Sequence, residues 1–103
     1  MLTKVLGDEP GTVAVTFALE WPDGATTAAV AGEFNAWSTG ATPMHRDGDG
    51  GFRTTVVLEM GRAYRFRYVL DGERWMNAWD ADDYTVNEFG GEDSVVRTDD
   101  VGE

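Results

Sequence analysis

The sequence predicts an all-β domain, an antiparallel β-sandwich of immunoglobulin type with about seven short strands. Three observations carry that expectation. Apolar and polar residues alternate in run after run, no window of eleven residues holds a 3.6-residue period, and glycine-rich turns separate the runs. The length of 103 residues suits one domain over 1–103, with an ordered core over about 12–98.

Each element follows from its own residues. Leu2–Leu6 reads as an edge strand. In Thr12–Trp21 the residues Val13, Val15, Phe17, Leu19 and Trp21 share one face, and Ala14, Thr16, Ala18 and Glu20 the other. Pro22-Asp23-Gly24 is a turn. Thr26–Gly32 is a small-residue strand with Ala28 and Val30 on one side. Phe52–Met60 sets Phe52, Thr54, Val56, Leu58 and Met60 against Arg53, Thr55, Val57 and Glu59. Ala63–Leu70 sets Tyr64, Phe66, Tyr68 and Leu70 against Arg65, Arg67 and Val69. Short strands at Trp75–Asn77 and Ser94–Thr98 complete the set, and Asp99–Glu103 reads as a frayed tail. Turns fall at Asp47–Gly51, Asp71-Gly72 and Gly90-Gly91.

Composition narrows the function. Nineteen acidic against eight basic side chains give a net charge of −11, which disfavours nucleic acid and anionic membrane, since both need clustered Lys and Arg. The segment from Asp71 onward holds eleven acids and two arginines, so −9 of the charge lies there. Arg62, Arg65, Arg67 and Arg74 crowd one hairpin and could face that segment, although solvated surface charge is the simpler expectation. The absence of cysteine excludes disulfides, thiolate metal sites and cysteine nucleophiles. Met1 to Pro10 shows no signal peptide, and no apolar stretch approaches the ~20 residues of a membrane span, so a cytoplasmic location is expected.

Catalytic patterns fail. His45 is the sole imidazole, and no serine sits in a nucleophile elbow. Counted from Asp47, a calcium loop would need Glu where Leu58 stands. Asp80, Asp82 and Asp83 could supply a glycosidase pair, but in so acidic a chain such a cluster reads as a solvated loop. No cofactor or metal is expected, and no enzyme beyond an accessory module of one.

The tryptophans carry more information. Trp37 lies in a loop of small and polar residues, between Gly32-Glu33-Phe34-Asn35-Ala36 and Ser38-Thr39-Gly40. Trp75 follows a hairpin turn. A three-residue loop Asp71-Gly72-Glu73 pairs Leu70 with Arg74, Val69 with Trp75 and Arg67 with Asn77, placing Trp75 on the outer face with Arg67. A two-residue Asp-Gly loop sends Trp75 inward instead. Flat amphipathic indoles beside Arg, Asn and carboxylate groups suit sugar rings and their hydroxyls.

Val30-Ala31-Gly32-Glu33-Phe34-Asn35-Ala36-Trp37 resembles the G-x-F-N-x-W signature of the family-48 carbohydrate-binding modules. These are the glycogen- and starch-binding domains of AMP-activated protein kinase β subunits and the early-set domains of isoamylases and branching enzymes. Tyr64–Gly72 resembles the family's Y-x-F-x-x-x-D-G hairpin, and Trp75 to Val96 resembles the C-terminal part of small isoamylase early-set proteins, which often stand alone. The likeness runs from about Val13 to Thr98. It implies an early-set immunoglobulin-like sandwich that binds α-glucan without catalysis. It assigns glucose stacking to Trp37 and Trp75, a basic contact to Arg67 and an apolar loop contact to Phe89. The three-residue loop keeps Trp75 outward. Asp93 stands where the family carries a hydroxyl-binding Asn, and Asp can accept but not donate. With Asn77 beside Arg67, the expected site is Trp37, Arg67, Trp75, Asn77, Phe89 and Asp93. The expected partner is an α-glucan, with a glycogen-metabolising enzyme or other protein as a further partner. The alternative is a regulatory or scaffolding module that keeps the fold without binding sugar.

Overall fold

The computed structural model describes residues 2–19, 24–46, 51–78, 81–87 and 90–99. Trp21, most of the turn after it, Asp47–Gly50 and the end of the tail lie outside those residues. Among the described residues, nine strands form two antiparallel sheets packed as a sandwich of early-set immunoglobulin-like type. They are β1 (Leu2–Leu6), β2 (Thr12–Leu19), β3 (Ala28–Gly32), β4 (His45–Arg46), β5 (Phe52–Glu59), β6 (Ala63–Leu70), β7 (Arg74–Met76), β8 (Asp83–Val86) and β9 (Glu92–Arg97). One sheet runs β1-β2-β5-β4, and the other runs β3-β6-β9-β8 with β7 also on β6.

The alternating faces read from the sequence form the core. Val13, Val15, Phe17 and Leu19 of β2 meet Phe66, Tyr68 and Leu70 of β6 across the sandwich, all buried. Phe17 stands edge-on to Phe66 at 5.0 Å between centroids and stacks on Phe34 at 5.8 Å. Each such apolar side chain contributes roughly 1.5–3 kcal/mol when buried.

Two strands and one turn were not legible as periodic runs. β4 is two residues long, and β8 is exposed at all four positions, so neither buries an apolar face. A 3₁₀ turn, Glu33–Asn35, follows β3 directly. β3 is buried on both faces, Ala29 and Ala31 as well as Ala28 and Val30. Val69, although on the outer face of β6, is only 1% exposed; its cross-strand neighbours there are Ala29 and Trp75.

β6 places the site. One edge pairs with β3 over Phe66–Leu70. The other pairs with β9 over Ala63–Phe66 and then with β7 over Tyr68–Leu70. Arg67 therefore sits at the seam where the neighbour of β6 changes.

Candidate functional site

The first tryptophan is aimed by the turn after β3. Gly32 is extended, at φ −167°, so it is not required for a left-handed angle. It is required for space: a Cβ there would lie 2.6 Å from the Arg65 carbonyl oxygen and 2.9 Å from both Phe34 Cε1 and Phe66 Cβ. Phe34 closes over the core, 6.2 Å from the Tyr64 ring. Asn35 ties the turn down: its Nδ2 donates to Val30 O at 2.8 Å and to Thr42 Oγ1 at 2.9 Å, and its Oδ1 accepts from Gly32 N at 3.0 Å. Glu33 accepts from the Arg65 backbone N–H at 2.7 Å, joining the turn to β6.

The chain then turns through two consecutive left-handed residues, Ala36 (φ 56°) and Trp37 (φ 60°). The left-handed region costs a non-glycine residue roughly 1–2 kcal/mol. The turn is closed by Trp37 N donating to Gly32 O at 2.9 Å and Ser38 N donating to Asn35 O at 3.2 Å. A bulky side chain held at positive φ by the surrounding bonds is local strain of the kind found at binding sites. Asn35→Ala removes the three side-chain bonds that hold it. Loss of about 2–3 kcal/mol is expected, seen as a lower urea midpoint at unchanged slope.

The second tryptophan is aimed by the β6–β7 hairpin. Asp71 (φ 53°) and Gly72 (φ 74°) form a type I′ turn closed by Glu73 N donating to Leu70 O at 3.1 Å. Glu73 is then an extra residue, so Leu70 pairs with Arg74 and Val69 with Trp75. The tight Asp-Gly turn and the three-residue register therefore occur together, and Trp75 points outward, 41% exposed. Pairing stops at Tyr68 with Met76, so the expected cross-strand pair of Arg67 with Asn77 is not part of the ladder. Those two side chains meet through a third group. Arg67 Nη2 and Asn77 Nδ2 both donate to the Glu92 carbonyl, each at 2.7 Å.

Asp71 anchors this hairpin by accepting from the backbone N–H groups of Thr26 at 2.8 Å and Thr27 at 3.0 Å. Its carboxyl is held below its ordinary value of 3.8, chiefly by the Thr27 N–H, then by Thr26; desolvation opposes them and the Arg74 charge adds to the lowering. A depressed folded-state pKa stabilises the fold above the unfolded value and ceases to do so as pH falls through the folded one. Parent and Asp71→Asn stability curves are therefore expected to converge as pH drops below about 3.8. Thermal melts of both proteins between pH 2.5 and 6 check this.

The two loops bring Trp37 and Trp75 together, with centroids 6.4 Å apart and planes inclined at 42°. Asp93 is brought beside Arg67, not into solvent. Its side chain is 7% exposed, and Oδ1 lies 3.0 Å from Arg67 Nε. The buried Nε meets it as an ion pair without the alignment of a hydrogen bond. The same oxygen accepts from Asn87 Nδ2 at 3.2 Å, while Asn87 Oδ1 accepts from Gly91 N at 3.1 Å. Asn87 is the residue whose role the sequence reading missed; Asn four residues before glycine is the turn chemistry that could have signalled it. Phe89 lies outside the described residues.

The arginines divide. Arg67 and Arg74 engage the acidic segment through Asp93 and Asp71, whereas Arg62 and Arg65 pair with Glu59 and Glu33. No group of His, Asp and Glu suited to a metal ion occurs among the described residues. No helix of the described residues is long and apolar enough to cross a membrane.

Among curated proteins, none matches the chain. A family model described as the glycogen recognition site of AMP-activated protein kinase matches residues 15–99. That span includes the turn that aims Trp37, the hairpin that aims Trp75 and the Arg67 seam between them, and the chain belongs to this family of carbohydrate-binding modules.

Proposed function

We propose that this domain binds α-glucan without catalysing its cleavage. Trp37 and Trp75 stack on glucose rings, and Arg67 and Asn77 donate to hydroxyls. One observation carries the reading: two loops built by unrelated devices, a strained 3₁₀ exit and a bulged hairpin, bring two indoles within 6.4 Å of each other. Their 42° inclination suits a polymer that bends from one sugar to the next, as an α-1,4-linked glucan does, better than a flat ribbon. Family membership supports the same ligand class. Open sites of this kind bind on the order of micromolar to millimolar. The rival reading is a protein-interaction module without sugar binding, for which the acidic segment is the motivation.

Affinity electrophoresis in glycogen-containing gels tests the proposal. The parent is expected to be retarded, and Trp75→Ala to run as in a gel without polysaccharide. Retardation of Trp75→Ala equal to the parent would sink the stacking role.

A further inference from the structure

We propose that Asp93 acts on the sugar face through Arg67 as a positioning residue, and that it makes the site select unphosphorylated glucan over glucan carrying phosphate esters. The proposal rests on the glucan-binding reading above and adds to it a specificity.

A guanidinium beside a sugar platform is chemically ambiguous. It donates to hydroxyls, and it equally recruits phosphate, for which its forked N–H groups are well matched. What decides between these is the charge left uncompensated. Arg67 Nε is buried and faces Asp93 Oδ1 at 3.0 Å. Arg67 Nη2 is held at 2.7 Å by the Glu92 carbonyl. The guanidinium is therefore fixed at the seam between β7 and β9, and its charge is opposed at ion-pair distance by a carboxylate with 7% side-chain exposure. Low exposure limits solvent screening, so the compensation is stronger than in a surface pair. Five N–H donors are more than these contacts use, so hydrogen bonding to hydroxyls is retained.

The fixture is built from both sides. Asn87 donates to the same Asp93 oxygen at 3.2 Å and accepts from Gly91 N. Gly91 leaves room for it: a Cβ there would lie 3.2 Å from Arg67 Nη2 and 3.5 Å from Asn87 Nδ2. Asp71 in the hairpin preceding Trp75 is itself paired with Arg74, so a phosphate arriving at the platform meets a neutralised arginine within a segment whose net charge from Asp71 onward is −9. A neutral ring meets donors already aimed.

The test compares β-cyclodextrin with its mono-6-phosphate ester by calorimetry. The parent is expected to bind the ester at least about tenfold more weakly at low salt, with the deficit shrinking at 0.5 M NaCl as screening sets in. Asp93→Asn, which keeps the shape and leaves the arginine charge unopposed, is expected to reduce the ratio of the ester's Kd to that of unmodified β-cyclodextrin about tenfold. In an Arg67→Gln background the same substitution should leave the ratio unmoved. A purely structural role for Asp93 would change both ligands together and leave the ratio as it was; that result overturns the proposal. So does a parent protein that prefers the ester at low salt, an outcome readable even if Asp93→Asn does not fold. Binding of neither ligand by the folded parent overturns this inference and the glucan reading together, whereas binding of both with an Asp93-independent ratio overturns this inference alone.

Discussion

Trp37→Gly is expected to abolish measurable glucan binding while leaving the fold intact. The loss should be about 30- to 1000-fold, since a stacked indole contributes roughly 2–4 kcal/mol from buried apolar area and ring geometry together. Stability is expected to stay within about 1 kcal/mol of the parent, because opposing effects nearly cancel. Glycine at φ 60° relieves left-handed strain. Against that stand the greater freedom of glycine in the unfolded chain and the loss of the tilted contact with Trp75. Urea denaturation beside cyclodextrin titration separates the two quantities. Unfolding of the variant would place Trp37 in the core, contrary to its loop position and partial exposure.

Gly32→Ala is expected to do the reverse, damaging the fold first and binding as a consequence. Its new methyl would stand 2.6 Å from the Arg65 carbonyl oxygen, a backbone atom held in β6, and 2.9 Å from Phe66 Cβ. Neither is the free end of a flexible side chain, so the 3₁₀ turn must lift from the sheet. Overpacking of this kind costs about 2–3 kcal/mol, or about 10–20 °C in Tm for a domain of this size. Because that turn leads into Trp37, glucan affinity should fall with it. Thermal melts and titration of the same preparation check both. A Gly32→Ala protein that melts with the parent would show that the turn does not pack against β6 as described.

The fold was legible because its core strands alternate. β2, β5 and β6 each place one apolar face inward, and turn residues mark their ends. β8 escaped because its alternation, Asp83 and Thr85 against Tyr84 and Val86, runs for only four residues, all of them exposed. β4 escaped because two residues cannot show one. At the site, Trp37 was legible by its loop, whereas the outward direction of Trp75 depended on the hairpin register. The register itself was undecided between two loop lengths, and the answer combines them: a type I′ turn plus the extra residue Glu73.

The residues that hold the tryptophans were harder to read. Gly32 and Asn35 are parts of a motif, but their tasks depend on β6 and on Thr42, which only folding brings near. Asp93 was legible as an acid in the family's Asn position and not as a buried one. Its burial depends on β9 pairing with β6, and its partner Arg67 lies far away in sequence. Long-range pairing of this kind leaves no local pattern.

Calorimetric titration of the domain with β-cyclodextrin shows whether it binds glucan. Saturable binding in the micromolar to millimolar range is expected, removed by Trp37→Gly. A flat titration on protein whose circular dichroism and melting show it folded would contradict glucan binding and favour a protein-interaction module on the same fold.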